Sequence, residues 1–148
     1  MRDADDRIIH LLKKKFKIMD KFEKIRLILE ARDSKLHPEV VTMFEIMPFK
    51  NAERTSDDKA ATGGSWKKYW KVFTQQDFPT TCPFCGEPLD EDDIDGCHIN
   101  VGRSILGSKV TYGQKKFIIP GHHACNMQLG AEFKCKIDVK AIEAIEKD

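Results

Sequence analysis

The chain has 148 residues, with 25 lysine and arginine side chains against 24 aspartate and glutamate side chains, and five cysteines. This length predicts one domain, or one small domain with an appendage. A hydrophobic fraction of 41% is enough to form a core, which argues against wholesale disorder. No run of about 18 apolar residues is present, which excludes a membrane-spanning helix, and the charged N-terminus predicts no secretory signal. We therefore expect a cytoplasmic protein, in which cysteines more often bind metal than form disulfides.

The net charge of +1 hides an uneven distribution. Residues 79–97 contain six acidic side chains and no lysine or arginine, whereas residues 98–118 contain four basic side chains and no acid. A purely basic stretch can face the phosphates of a nucleic acid. Two solvated surfaces of opposite sign are the more frequent explanation of such charge runs, and that alternative stays open.

The first part of the chain is predicted to be helical. Apolar side chains recur at steps of three and four over residues 5–30, which is typical of a long amphipathic helix. Residues 31–37 look like a break. Pro38 suits the first turn of a second helix, which would run to about Ile46 and end at Pro48.

A linker and an aromatic segment follow these helices. Residues 51–65 are polar, rich in small side chains and include two adjacent glycines, as linkers often do. The next segment places aromatic side chains at helical spacing with lysines between them, a pattern that can stack on bases. Such a stripe more often packs in a core, and a core position is our prediction. The aromatic residues are Trp66, Tyr69, Trp70 and Phe73.

Two pairs of potential metal ligands have the same spacing. Cys82 and Cys85 form a Cys-x-x-Cys turn that is followed by Gly86, and His122 and Cys125 repeat the two-residue gap. Positions i and i+3 of a helix share a face, so both members of the second pair can reach one ion. Three sulfurs and one nitrogen form a usual closed tetrahedral zinc site.

Alternative ligands remain open at this point. His123 can take the place of His122, and Cys97 can take the place of either histidine. A redox function of the Cys-x-x-Cys pair is less favoured, because no βαβ pattern precedes it. Cys135 is predicted to be a buried thiol, since cysteine is small and apolar.

A β-hairpin is predicted between the two ligand pairs. The segments HINVGRSIL and KKFIIP have strand composition, and glycines near them supply turns. After the second pair, a helix is predicted to continue from Asn126 to about Phe133, and a last helix to run from Asp138 to Lys147. These elements together predict an α+β fold.

The order of these motifs resembles that of the HNH endonuclease family. The resemblance rests on the Cys-x-x-Cys-Gly knuckle, the hairpin that begins with His-Ile, and the Ile-Pro before a paired ligand motif and Asn, and it covers residues 80–135. It implies a zinc-stabilised treble-clef fold of a β-hairpin plus a helix, preceded by the N-terminal helices. The chain then divides into a helical region (1–60), a linker with the aromatic and basic segment (61–78) and an HNH-like zinc-binding domain (79–148).

The resemblance also implies functional roles. His98 matches the family's first histidine, the general base that activates water, and Asn126 matches a ligand of the catalytic divalent ion, Mg²⁺ or Mn²⁺. Zinc would be structural. The partner would be a nucleic acid, most naturally DNA, and the basic side chains of the hairpin would then contact its phosphates. These side chains are Arg103, Lys109, Lys115 and Lys116.

Two positions depart from the family pattern and leave a second hypothesis open. Cys97 stands where the family usually has an acid, and a thiol is a poor ligand for Mg²⁺. Phe117 stands where the family has its middle asparagine. Asp95 would share a strand face with Cys97, opposite His98. The alternative is therefore a non-catalytic treble-clef module that recognises nucleic acid or a protein, with the N-terminal helices as a possible protein-binding surface.

Overall fold

The computed structural model describes residues 20–53, 59–105 and 109–147 as helices packed on a six-stranded antiparallel sheet. The predicted α+β class is confirmed. The strand order is β1-β6-β4-β3-β2-β5. In chain order the elements are α1 (Lys21–Ser34), β1 (Val40–Met43), β2 (Pro48–Asn51), α2 (Trp66–Thr74), a short 3-10 helix (Glu91–Asp93), β3 (Ile94–Ile105), β4 (Lys109–His122), α3 (His123–Asn126), β5 (Glu132–Lys134) and β6 (Val139–Glu143).

The centre of the sheet is the predicted hairpin of β3 and β4. Its register pairs Cys97 with Ile119 and His98 with Ile118, and it shifts at an irregularity between Asn100 and Gly102. Because side chains alternate between the two faces of a strand, one face receives Cys97 and the other receives His98. The knuckle and α3 cover the first face, and α2 covers the second.

Helix α2 carries the aromatic stripe into the core, as predicted. Ser65 caps the helix by accepting a hydrogen bond from the backbone of Lys68. Tyr69 and Trp70 are fully buried, and their polar atoms donate to the backbone oxygens of Glu143 (2.5 Å) and Lys140 (2.8 Å). A buried aromatic with a satisfied polar atom gains from its apolar area without an unpaired donor.

The first described helix begins and ends at clear capping residues. Asp20 accepts from the backbone nitrogen of Glu23 at 2.8 Å, and Lys35 ends the helix with a φ of 60°. The predicted break at residues 31–37 is therefore wrong over its first four positions, because the helix runs to Ser34. Residues 5–19 of the predicted helix lie outside the described residues. None of the described helices is long and apolar enough to cross a membrane.

The helix predicted from Pro38 to Ile46 is wrong, because this segment contains β1. Val40 and Val41 are β-branched, and the strand pairs with β6 through Val40–Ile142 and Val41–Ala141. Pro48 begins β2 instead of ending a helix. The sheet therefore contains strands from both sides of the predicted boundary near residue 60.

The predicted linker is wrong at its ends. Asn51 is the buried last residue of β2, Ala52 is buried next to it, and buried Ala60 forms a β-bridge with Glu146. Residues 54–58, the middle of the predicted linker, lie outside the described residues.

The two C-terminal helices are also wrong in extent or type. Helix α3 ends at Asn126, and Gly130, with a φ of 74°, turns the chain into β5. The segment predicted as the last helix contains strand β6. Val139 and Ile142 are both buried but lie on opposite faces of this strand. Periodicity alone does not distinguish such a strand from a helix.

Candidate metal centre and adjacent polar cluster

The first half of the candidate metal centre is a tight turn around Cys82 and Cys85. The backbone nitrogen of Gly86 donates to the oxygen of Cys82 at 2.9 Å, and the nitrogen of Cys82 donates to the oxygen of Glu87 at 2.8 Å. Gly86 has a φ of 80°, which an L-residue rarely adopts. The glycine after the pair thus permits the turn that directs both thiols to one side.

The second half comes from the junction of β4 and α3. His122 ends the strand and Cys125 lies in the short helix, so the chain turns between them. Nδ1 of His122 lies 3.3 Å from Sγ of Cys85, and Nε2 lies 2.9 Å from the backbone oxygen of Pro88. A carbonyl only accepts, so Nε2 carries the proton and Nδ1 is left to bind a metal.

The four side chains form a group that can hold one metal ion. Their ligand atoms all lie within 4.8 Å of one another. The histidine of the group is His122, which two residues separate from Cys125, and not His123. Zinc–sulfur bonds of about 2.3 Å place the corners of a tetrahedron about 3.8 Å apart, which suits this spacing. The donor set is consistent with zinc. Its members are Cys82, Cys85, His122 and Cys125.

The electrostatics of the site favour a bound cation. Burial and the nearby Cys82 thiolate raise the pKa of Cys125 to about 12. At Cys85, burial acts to raise the pKa, but hydrogen bonds from the Glu87 backbone and from His122 lower it overall. Several thiolates in one small volume repel each other. A divalent ion that displaces the thiol protons also offsets this electrostatic repulsion.

The remaining two cysteines lie outside this group. Burial, followed by the charge of Asp95, raises the pKa of Cys97 well above its usual value, so this thiol is neutral. Sγ of Cys135 donates to the backbone oxygen of Ile137 at 3.0 Å, and the residue is buried as predicted.

Asn51 connects the N-terminal part of the sheet to the metal centre. It is 1% exposed, and its Nδ2 donates to the backbone oxygens of Cys125 (2.8 Å) and Gln128 (2.9 Å). The first oxygen belongs to α3 and the second to the turn that follows it, so one side chain spans the end of the helix. The side chain therefore fixes the turn that presents the last metal ligand.

A second polar cluster lies beside the metal centre on the same face of the sheet. Oδ2 of Asp95 lies 2.7 Å from Nδ1 of His123 and accepts from Nδ2 of Asn126 at 2.9 Å. The backbone nitrogen of His123 also lies 3.4 Å from Oδ1 of Asp93. The side chain of His123 is 62% exposed. We call Asp95, His123 and Asn126 the polar cluster.

His98 occupies the opposite face of the sheet. It is 5% exposed, and its ring packs edge-on against Trp66 of α2 with the centroids 4.6 Å apart. The backbone of Gly96 on the same face touches this helix, because a Cβ there would collide with the backbone of Trp66. The sheet thus separates His98 from Asn126, the other residue that the family resemblance implied for catalysis. The catalytic role of His98 stays a prediction.

The four basic side chains of the hairpin have different surroundings. Lys115 lies 2.9 Å from Glu39 and 3.6 Å from Glu143, and Lys116 lies 3.9 Å from Glu146. Arg103 and Lys109 are exposed near the end of the hairpin. Contact of these four residues with nucleic acid stays a prediction.

The chain matches no protein-family model, and no curated protein or solved structure is significantly similar to it. Its function therefore has to be inferred from the geometry of its own residues.

Sequence reasoning missed two parts of this region. Asn51 lies 74 positions before Cys125 and has no motif around it, so no local signal marks it. The sequence gives a partial signal for the pairing of Asp95 with His123. Strand alternation places Asp95 on the face of Cys97, and His123 directly follows His122. The contact itself depends on how α3 meets β3.

Proposed function

We propose that this chain is an HNH-like protein with a structural zinc ion and that the polar cluster hydrolyses phosphodiester bonds of nucleic acid. The observation that carries the proposal is the hydrogen-bonded group of Asp95, His123 and Asn126 next to the Cys3His site. Zinc with four protein ligands has no open position, so chemistry belongs to a neighbouring group. The polar cluster adjoins the metal centre and contains the exposed side chain of His123.

In this proposal His123 is the general base and Asp95 orients it. The carboxylate accepts a hydrogen bond from Nδ1–H, which leaves the unprotonated Nε2 to take a proton from water. The water oxygen then bonds to phosphorus, and the bond from phosphorus to the leaving sugar oxygen breaks. Solvent protonates the leaving oxygen.

A divalent ion such as Mg²⁺ or Mn²⁺ fits the oxygen donors of this cluster. Asp95 and Asn126 offer a carboxylate and an amide oxygen, which are ligands that hard cations prefer. When bound, such an ion neutralises charge on the phosphate and on the leaving oxygen. The acid that the family places directly before its histidine is replaced in this proposal by Asp95, two residues before Cys97.

One observation favours a non-catalytic alternative. His98 is buried behind the sheet and packs on Trp66, where a water molecule attacking a phosphate has no access. If no other side chain supplies a base, the chain is a zinc-stabilised module that recognises nucleic acid or a protein without cutting it.

A nicking assay tests the proposal against this alternative. Supercoiled plasmid is incubated with the full chain and with Mg²⁺, Mn²⁺ or Ni²⁺, beside an Asp95→Asn variant. Asp33→Asn, an exposed carboxylate on α1, is the matched control. We expect nicking by the wild type and the control and its loss in Asp95→Asn. Absence of nicking with every metal supports the non-catalytic alternative, and equal nicking by Asp95→Asn would show that the polar cluster is not the catalytic group.

A further inference from the structure

The hairpin of β3 and β4 extends beyond the rest of the sheet. Strand β2 pairs with β3 only at residues 99–101, and β6 pairs with β4 only at residues 117–118. Within the described residues, positions 102–105 and 109–112 pair only with each other. We call these two segments the arm. A two-stranded ribbon with two open edges is shaped to enter a groove.

One face of the arm collects hydrogen-bond donors. Arg103 is paired directly with Thr111, and Lys109 is two residues before Thr111 on the same strand. Cross-strand partners and residues two apart share a face, so these three side chains point to the same side. A guanidinium, an ammonium and a hydroxyl group are thus displayed together on three exposed residues of the arm.

The lysines at the base of the hairpin lie close to carboxylates, unlike the basic side chains of the arm. Lys115 and Lys116 lie within 4 Å of the carboxylates of Glu39, Glu143 and Glu146, which reduce their charge toward an approaching polyanion. No ion pair of Arg103 or Lys109 occurs among the parts of the chain that are described, and residues 98–118 contain no acid. The positive potential of the hairpin is therefore concentrated on the arm.

We infer that the arm inserts its donor face into the major groove of duplex DNA. The major groove of B-DNA is about 12 Å wide and admits a two-stranded β-ribbon, and its guanine edges are acceptors for arginine. The major groove of A-form RNA is deep and too narrow for side chains to read. The arm thus selects a DNA duplex over an RNA duplex of the same sequence.

This inference names the substrate of the proposed hydrolase, and the arm lies at a distance from the proposed site. Asp95 and Arg103 are on one strand, and at about 3.3 Å per residue they are about 26 Å apart. The arm would hold the duplex several base pairs from the polar cluster. Binding is measured without an added divalent ion, so a failure of cleavage and a failure of docking are distinguished.

Fluorescence anisotropy with a labelled GC-rich DNA duplex tests the inference, with zinc-loaded full-length protein and no chelator. The test variant is Arg103→Ala/Lys109→Ala. Lys115→Ala/Lys116→Ala is the matched control, since it removes two positive charges from the same hairpin. We expect the arm variant to weaken binding about tenfold or more, and the control to change it much less. Thermal unfolding of each variant checks that the fold is kept.

Two further measurements test the inference. We expect the wild type to bind the DNA duplex more tightly than an RNA duplex of the same sequence, and to protect guanine N7 atoms from methylation. Equal losses in the two variants, an RNA duplex bound as tightly as DNA, or no binding of duplex DNA at low salt would each overturn the inference.

Discussion

Nδ1 of His123 lies 2.7 Å from Oδ2 of Asp95, although the two residues are 28 positions apart in the chain. The contact forms because Asp95 begins the long hairpin and His123 follows the end of it, so antiparallel pairing brings both together. The same register places His122 in the metal centre. His122, a candidate metal ligand, is thus followed directly by His123, whose side chain faces solvent.

The metal centre makes a direct prediction about ligands. Cys82→Ser and Cys125→Ser are expected to lose bound zinc, because serine is a poor zinc ligand and three ligands hold the ion weakly. His123→Ala is expected to keep it, since His122 is the histidine of the group. Cys135→Ser is a matched control outside the group.

Metal analysis of the purified variants checks this prediction. Full zinc content in both Cys82→Ser and Cys125→Ser would show that the ligand set is wrong.

Removal of the metal is expected to unfold the region around the centre first. Metal binding and folding are coupled in small sites, because the unfolded chain has no preformed site. After treatment with a chelator, amide hydrogen exchange should accelerate most in residues 81–89 and 119–128. Slower exchange there than in α1 would contradict the structural role of the metal.

Asn51→Ala is expected to weaken both folding and metal binding. The variant removes the two hydrogen bonds from Nδ2 to the oxygens of Cys125 and Gln128, and a hydrogen bond of this kind contributes about 0.5–1.5 kcal/mol. The matched control is Asn100→Ala, whose Nδ2 makes only long contacts of 3.4 and 3.5 Å to backbone oxygens.

Urea unfolding and zinc competition with a chromophoric chelator measure the two effects of Asn51→Ala. If Asn51→Ala is as stable and binds zinc as tightly as Asn100→Ala, the side chain does not position α3.

Gly96→Ala is expected to destabilise the fold through the contact between β3 and α2. The added methyl group would collide with the backbone of Trp66, and overpacking of this kind costs about 1–3 kcal/mol. Gly64→Ala is the control, because its nearest neighbour is the Lys68 side chain at 3.9 Å. A difference in melting temperature measures the effect, and equal melting temperatures of the two variants would contradict the close packing.

The parts of the fold that were predictable have local signals. The spacing of Cys82–Cys85 and His122–Cys125 identified the group that can hold a metal ion, since each pair is organised by one turn. Strand composition and nearby glycines identified the hairpin, and aromatic periodicity identified α2 with its buried Trp70.

The parts that were not predictable depend on contacts between distant segments. Strand β1 exists because it pairs with β6, about 100 positions later. Both segments are short apolar runs that suit a helix as well as a buried strand. Two residues outside helix α3 define where it ends. The side chain of Asn51 binds backbone oxygens at its C-terminal end, and Gly130 turns the chain toward β5. Strand alternation predicts that His98 and Cys97 lie on opposite faces of the sheet, but it does not indicate which face α2 covers.

The nicking rate of two histidine variants tests most directly whether His123 is the general base. His123→Gln and His98→Gln are compared with the wild type on supercoiled plasmid under the best metal, after both variants are shown to retain zinc. Loss of a general base costs about 10²- to 10⁴-fold in rate. We expect this loss for His123→Gln and a rate near that of the wild type for His98→Gln. A reversed order, or equal rates for the two variants, would contradict this expectation.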